Sequence, residues 1–295
     1  MRAGFEPTQV LITVLTYPHP SKKYQEIVCT AGVTEDGRWV RLYPIDYRYQ
    51  PEHRQFKKWQ WIEVALASRG HGNDQRPESR EPDLSTIRVL GERIPTRDAW
   101  LERRGIIDRM PHHTVAQLEA LYSRDRTSLG IVRPKRVLDL KTTPTERQWP
   151  AEYQWLWKQA RLFGYQKPLA KLPFKFQYIF ECEDSSKTYT AMNEDWELGA
   201  LFLKERDAKG EDAAVQSVRQ RFLGQICAED KDTRFFMGTR HPYNQWLVIG
   251  TFYPPQEAEQ LLAPLRARSS VVGIFSCRIP SRTPLGGDGS GCLRE

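Results

Sequence analysis

Short runs of β-branched and aromatic residues, each ended by turn residues, follow one another through the first third of the chain. They lie at residues 9–16 (QVLITVLT), 26–32, 38–43 and 61–68, and Asp36-Gly37 between the second and third is typical of a hairpin turn. Several short strands separated by turns predict a small β barrel or sandwich.

The rest of the chain mixes strands with helices. Helices are predicted at residues 96–105, 114–122, 152–163, 195–206 and 257–268, and a further one is predicted to be capped by Asp212. Strands are predicted at residues 128–132, 136–141, 174–182, 187–192, 235–237, 246–253 and 271–275. We therefore expect a mainly β protein with inserted helices, of the α+β class.

The order of these elements predicts two domains. The first covers residues 8–95, a helical connector covers residues 96–125, and the second domain covers residues 126–280. Residues 281–295, which include PLGGDGSG, have the composition of a disordered tail.

The positive charge of the chain is concentrated in one stretch. The 295 residues carry a net charge of +7, and residues 131–175 contain ten Lys and Arg against three acids, a difference of 10 − 3 = +7. The remainder is therefore neutral. A concentrated basic stretch is typical of a protein that binds a polyanion, which here indicates nucleic acid as the partner.

Several function classes lack support in the sequence. It has no apolar run long enough to span a membrane and no signal peptide pattern, so we expect a cytoplasmic protein with no membrane partner. The five Cys form no CxxC pair, and the six His form no zinc-binding pattern. P-loop and GxSxG motifs are absent, and we expect no cofactor and no metal.

Four groups of residues are candidates for nucleic-acid binding, because each combines cations for phosphates with aromatic faces for bases or lies in a loop. Trp39, Arg41 and Tyr43 share one face of a strand near Lys22 and Lys23. The other candidates are Arg48, Arg54, Lys57 and Lys58 in an aromatic-rich segment, Arg133, Lys135, Arg136 and Lys141 in the basic stretch, and Arg240 in a loop. In the first three groups the alternative is that the aromatic residues belong to the core or fix a loop to it, and for Arg240 it is a hairpin loop with no ligand.

Several strings resemble a bacterial family known as the dual OB domain family. The matching strings are Tyr17-Pro18, Ser21–Tyr24, Val28–Gly32, Trp39–Pro44, Asp195–Gly199, Phe235–Thr239 and Phe252–Pro255. The resemblance implies two oligonucleotide-binding (OB) folds in tandem. It also implies a setting in bacterial conflict systems directed against phage or plasmids, with other defence-system proteins as partners, and it brings no established enzymatic activity.

The leading hypothesis is a non-enzymatic protein that binds DNA or RNA, and two alternatives stay open. One is a metal-dependent nuclease or nucleic-acid-modifying enzyme whose acids are assembled by the fold, with Asp195, Glu197, Asp230 and Asp232 as the first candidates. The other is a protein-interaction subunit of a defence complex, in which the aromatic residues would be interface anchors. The sequence does not decide between DNA and RNA, or between single strands and duplex.

Overall fold

Eight strands occupy the first 90 residues of the chain. The computed structural model describes residues 4–72, 74–154, 168–184, 187–240 and 245–256. The strands are β1 (Phe5–Leu15), β2 (His19–Ser21), β3 (Gln25–Ile27), β4 (Thr30–Val33), β5 (Trp39–Leu42), β6 (Gln60–Ala67), β7 (Ser79–Arg80) and β8 (Pro82–Leu90). Six of them form one sheet in the order β7-β5-β4-β1-β6-β8, and β2 pairs with β3 in a separate hairpin.

The centre of this sheet is buried on both faces. Leu11 and Val14 of β1 pack into one apolar cluster, and Val10, Ile12 and Leu15 pack into another. A strand covered on both sides reads as a continuous apolar run, which is the pattern of residues 9–16. The apolar run of β1 therefore indicates a central strand with an apolar cluster on each face of the sheet.

In the described residues, the second part of the chain adds two sheets and four α-helices. The elements are α1 (Arg97–Ile107), β9 (His112–His113), α2 (Val115–Asp125), β10 (Leu129–Val132), β11 (Arg136–Pro144), β12 (Phe174–Glu181), β13 (Thr188–Met192), α3 (Trp196–Lys209), α4 (Glu211–Arg219), β14 (Arg234–Thr239) and β15 (Trp246–Phe252). One sheet has the order β15-β14-β10-β9, and the other has the order β11-β12-β13.

The four-stranded sheet packs against the six-stranded one. Phe236 of β14 is fully buried in the same cluster as Leu11 and Val14. Its neighbours Phe235 and Met237 point the other way, into a cluster with β12, α3 and α4. The two sheets are thus consecutive layers that share one apolar core.

The helix ends agree with the sequence in part. Asp195 caps α3 by accepting a hydrogen bond from the Glu197 backbone N–H, in agreement with the helix predicted over residues 195–206. The prediction for Asp212 is wrong, because α4 begins at Glu211 and its N-cap is Gly210. Gly210 has a φ of 88°, a conformation that glycine adopts without strain and that ends one helix and opens the next.

The mainly β, α+β class is confirmed. Within the described residues no sheet closes into a barrel, and the two OB-like units and their boundaries stay predictions. All described residues belong to one compact unit, residues 1–258. Most of the predicted helix 152–163, the elements predicted after residue 256 and the tail lie outside the described residues. No helix in the described part of the chain is long and apolar enough to cross a membrane.

A buried ion pair connects the segment before β6 to the start of α3. Lys58 Nζ lies 3.0 Å from Asp195 Oδ1 and 2.9 Å from Oδ2, and both side chains are almost fully buried. Burial alone would lower the pKa of Lys58, but the attraction of Asp195 outweighs it and the pKa is raised. Asp195 thus serves both as the helix cap and as the counter-ion of Lys58.

We expect Lys58→Met to lower the free energy of unfolding by about 3–5 kcal/mol, because it leaves the Asp195 carboxylate buried and unpaired. The double variant Lys58→Met/Asp195→Asn should recover much of the loss, since Asn is also a good N-cap. Urea unfolding monitored by circular dichroism measures both. A single variant within about 0.5 kcal/mol of wild type would contradict a structural role for the pair.

A second buried carboxylate supports the β2–β3 hairpin. Glu26 of β3 is fully buried, and its Oε2 lies 3.2 Å from Nη1 of Arg48. Burial raises the pKa of Glu26 from 4.5 to about 7, and Arg48 offsets only part of that effect. Between these two pH values the folded protein binds more protons than the unfolded chain, so stability falls as the pH rises.

We expect the wild-type protein to lose about 3 kcal/mol of unfolding free energy through Glu26 as the pH rises from 4.5 to about 7, at roughly 1.4 kcal/mol per pKa unit. Glu26→Gln should lack this loss, so its stability relative to wild type should increase with pH. Chemical denaturation across this range measures the difference. Parallel pH profiles for the two proteins would show that Glu26 does not titrate as described.

Candidate functional site

A cavity of about 350 Å³ is lined by residues of both packed sheets, and we call it the Arg41 cavity. Its polar lining comes from distant parts of the chain: His19 from β2, Arg41 from β5, His71 and Arg76 from the segment between β6 and β7, and Arg240 after β14. The volume falls within the range of about 300–1,000 Å³ that is typical of ligand sites.

Arg41 is the most unusual group in this lining, because its side chain is only 2% exposed. Nη1 donates to the Cys29 sulfur at 3.0 Å, and Nη2 donates to the Ser128 carbonyl at 3.0 Å and to the Ser128 hydroxyl at 3.1 Å. Nε has no hydrogen-bond partner among the described residues. No carboxylate in the described part of the chain accepts a hydrogen bond from this guanidinium.

The acid nearest to this arrangement is already engaged. Glu78 accepts hydrogen bonds from the Ser128 backbone at 2.7 Å and from the Ser128 hydroxyl at 2.9 Å. Burial lowers the pKa of Arg41, Cys29 and Glu78 raise it in part, and the charge of Arg76 lowers it. A buried charge that lacks a hydrogen-bonded counter-ion is costly, so the cavity favours an anion.

Arg76 lies at the same cavity but has its own counter-ion. Its Nε donates to Asp74 Oδ1 at 2.8 Å, and its Nη2 donates to Asp74 Oδ2 at 2.6 Å. Burial opposes ionisation of Asp74, yet Arg76 outweighs it and lowers the pKa of Asp74 to about 2. The third nitrogen, Nη1, donates to the Thr239 carbonyl at 3.0 Å and fixes the guanidinium to the end of β14.

Two histidines line the cavity, and each is paired with a glutamate. His71 Nδ1 lies 2.7 Å from Glu81 Oε2, and its Nε2 lies 2.9 Å from the Tyr24 hydroxyl. His19 Nε2 lies 3.4 Å from Glu194 Oε2. Both imidazoles are a little under one third exposed, but the Nε2 atom of His19 is itself buried.

A second cavity of about 230 Å³ adjoins the first and shares His19, Glu194 and Arg240 with it. Its lining includes the aromatic residues Trp149 and Phe174 and the cation Lys171. Lys171 Nζ lies 5.6 Å from the centre of the Trp149 ring, within cation–π distance. We call this space the Trp149 cavity.

Two family models match the sequence in succession. Domain of unknown function (DUF8758) matches residues 6–109, and Domain of unknown function (DUF8757) matches residues 111–270, which is more than half of the chain. The chain belongs to the DUF8757 family. The Arg41 cavity draws on both matched regions, with Arg41 from the DUF8758 region and Arg240 from the DUF8757 region.

Comparisons with curated proteins and with solved structures add little to the family assignment. No curated protein matches the sequence. Among solved structures, a murine DNA-binding protein bound with double-stranded DNA is similar at 9% identity and a TM-score of 0.30, over 84% of this chain and 94% of that chain. A likeness at this level carries no argument about the fold or the function.

The first candidate surface, in the DUF8758 region, is only partly exposed. Trp39 is half-buried with its ring 5.6 Å from that of Phe236, and Arg41 is buried in the cavity that Tyr43 also lines. Arg41 does not lie on an open strand face, because the four-stranded sheet covers this face of β5. Lys22 and Lys23 are exposed, and Lys23 Nζ lies 3.2 Å from His71 Nε2.

The second candidate group divides into buried and exposed members. Lys58 is buried against Asp195, and Arg48 is ion-paired with Glu26. Arg54 is half-exposed and Lys57 is exposed. Aromatic residues of this segment fix it to the core, as the alternative interpretation proposed, since Phe56 and Trp59 are buried.

The candidates in the DUF8757 region are exposed, and some are ion-paired. Arg133 Nε lies 2.9 Å from Asp232 Oδ1, and an oxygen of Glu181 lies 3.3 Å from Arg136 Nη2. Lys135 and Lys141 are exposed. Acidic residues from outside the basic stretch therefore neutralise part of its positive charge. The stretch from Trp155 to Lys167, with several of its aromatics and cations, lies outside the described residues.

The acids suspected of holding a metal are engaged by cations. Asp195 is paired with Lys58, and Asp232 contacts Arg133 as well as the buried Arg104 and Arg234. Within the described ranges, no group of three or more His, Cys, Asp or Glu is placed to hold a metal ion.

Sequence reasoning missed His19, His71, Asp74, Arg76 and Glu194. No linear motif marks these residues, because they meet only when the two sheets pack. The segment between β6 and β7 has the polar composition of a loop, but no sequence pattern in it indicates that it lines the Arg41 cavity.

We expect Arg41→Met to raise the free energy of unfolding by about 1 kcal/mol or more in the absence of ligand, because it removes a buried charge that has no carboxylate partner. Ser128 keeps its hydrogen bond to Glu78 in this variant. Arg76→Met is the matched comparison and should lose about 3–5 kcal/mol, since it leaves Asp74 unpaired. Guanidinium unfolding measures both, and a large loss in Arg41→Met would make Arg41 a structural cross-link instead.

Proposed function

We propose that this protein binds nucleic acid and holds one nucleotide of the strand in the Arg41 cavity. The observation that carries the proposal is the buried guanidinium of Arg41, which has no carboxylate hydrogen-bonded to it. A phosphate would supply the missing counter-charge. Arginine suits this role because its planar fork of donors matches phosphate oxygens.

The rest of the lining fits the other parts of a nucleotide. Tyr43 offers an aromatic ring, and Leu247 and Ile249 of β15 offer apolar surface. Binding sites for single strands combine cations with aromatic faces on which bases stack, at about 1–3 kcal/mol per base. The Trp149 cavity provides a second aromatic surface next to the first, where a neighbouring base would lie.

Exposed cations would hold the strand outside the cavity. Lys23 is exposed and contacts His71, which itself lines the cavity, so it stands near the opening. Arg136 is 66% exposed and Arg133 is 50% exposed. An ion pair as exposed as that of Arg136 with Glu181 contributes only about 0–1 kcal/mol, so a phosphate can replace the Glu181 carboxylate.

Two further elements of the proposal rest on the resemblance to the dual OB domain family. We propose that the two matched regions are OB-like units in tandem, and that the protein works as a recognition module in bacterial defence. An experimental structure that shows how the strands of each matched region pair, including those after residue 256, would test the first. The functions of neighbouring genes would test the second.

The test is binding of fluorescently labelled single-stranded DNA and RNA to the full chain by anisotropy at several salt concentrations. We expect affinity that falls steeply with added salt and needs no metal ion. Arg41→Met should weaken binding at least tenfold, which corresponds to about 1.4 kcal/mol. Arg124→Met removes an exposed cation on α2 and is the control, expected to stay within about twofold of wild type.

Two results would contradict the proposal. One is the absence of binding at low salt, and the other is wild-type affinity in the Arg41→Met variant. Competition by inorganic phosphate and by a mononucleotide separates a phosphate site from a site for a whole nucleotide, because only the mononucleotide can also use the apolar lining.

A further inference from the structure

We propose that the Trp149 cavity recognises a guanine base of the bound strand, and that Lys171 is the residue that selects it. This inference rests on the proposed function, since it requires a strand with a nucleotide in the neighbouring Arg41 cavity. What points to it is the chemistry of the lining, which combines aromatic rings and an accessible lysine with acids that are buried and engaged.

Two aromatic residues of the lining have their polar atoms bonded to the main chain. The Trp149 indole Nε1 donates to the Leu169 carbonyl at 2.9 Å, and the Tyr17 hydroxyl donates to the Ala170 carbonyl at 2.7 Å. Phe174 lines the same space and has no polar atom in its side chain. These rings therefore offer the cavity mainly apolar surface, against which the face of a base packs.

Lys171 brings hydrogen-bond donors to this aromatic surface. Its Nζ donates to the Gln148 carbonyl at 3.2 Å and lies 5.6 Å from the centre of the Trp149 ring. An ammonium group has three donors, so Lys171 keeps two for a ligand beyond this bond. A base that packs on the Trp149 ring has the ammonium within reach of its edge, because the lysine stem is flexible.

The carboxylates of the lining are much less accessible than this donor. Glu194 is 9% exposed, and its two oxygens each lie 3.4 Å from a nitrogen of Arg240 or His19. Asp195 is fully buried against Lys58. A ligand in the Trp149 cavity thus meets free donors of Lys171 but no open carboxylate in the described lining.

A donor without an accessible carboxylate discriminates among the bases. Guanine presents two adjacent acceptors, O6 and N7, and the pairing of a lysine or arginine with these two atoms is a common specific contact. Adenine and cytosine place an exocyclic amino group on the corresponding edge, and this second donor would face the ammonium of Lys171. Thymine and uracil offer O4 as a single acceptor. The order of preference we expect is guanine, then thymine or uracil, then adenine and cytosine.

The test compares the affinity of the full chain for two labelled single-stranded DNAs, one of alternating guanine and thymine and one of alternating adenine and cytosine. The strands have equal length and charge, and phosphate contacts carry no sequence information. We expect the guanine strand to bind at least tenfold more tightly at each salt concentration, which corresponds to about 1.4 kcal/mol.

Two base analogues identify the atoms that are recognised. 7-Deazaguanine, in which carbon replaces N7, should remove most of the preference when it is placed at every guanine position. Hypoxanthine keeps O6 and N7 and lacks only the 2-amino group, so it should bind as guanine does. The first analogue therefore removes the proposed contact, and the second is its control.

Lys171→Met should reduce the preference for the guanine strand to about twofold or less, because the contact with O6 and N7 is lost. Its binding to the adenine–cytosine strand should persist, which shows that the variant folds. Lys171→Arg should keep the preference, since arginine also pairs with O6 and N7. Lys204→Met removes an exposed cation of α3 outside the cavity and is the charge-matched control. A lysine that contacts only phosphate weakens binding to both strands alike, so the control should leave the ratio of affinities unchanged.

The outcomes separate this inference from the proposed function. Equal affinity for the two strands, or tighter binding of the adenine–cytosine strand, overturns the inference and leaves the binding proposal intact. A preference that survives in Lys171→Met or with 7-deazaguanine has the same consequence. Failure to bind either strand at low salt overturns both.

Discussion

The buried ion pair between Lys58 and Asp195 joins the amino-terminal sheet to the helix that completes the site. Asp195 caps α3, and the residue before it, Glu194, forms part of the Arg41 cavity. The position of Glu194, and with it that of His19, therefore depends on a lysine from a distant segment. Removal of one partner of such a pair costs several kcal/mol, more than most single contacts contribute.

Arg41 differs from Lys58, because it is a buried cation without a hydrogen-bonded carboxylate. Its neighbours satisfy part of its hydrogen-bonding capacity, but the described residues provide no carboxylate bonded to it. Arg76 beside it is neutralised by Asp74. Because a buried charge without a hydrogen-bonded carboxylate adds little to stability, this arrangement supports the proposed role of Arg41 in holding an anionic ligand.

The sequence was informative wherever a pattern is local. The doubly buried strand β1, the alternating strand β12 and the Asp195 cap follow from short-range periodicity and capping chemistry, and they were predictable. The cavity was not, because its residues run from His19 to Arg240 and meet only through the packing of two sheets. Arg41 was chosen as a candidate because it shares a strand face with two aromatic residues. Its burial involves a contact with Ser128, which no local sequence pattern connects to it.

The charges around the cavity restrict what can enter it. Arg41, Arg76 and Arg240 lie in its lining against two carboxylates, Asp74 and Glu194, which leaves one positive charge uncompensated. Because Asp74 is held by Arg76 and Glu194 lies between His19 and Arg240, neither acid offers an open face to a cation. The lining therefore selects an anion. A phosphodiester strand also brings aromatic bases, and the Trp149 cavity next to the cations gives the face of a base a surface that a simple inorganic anion would not use.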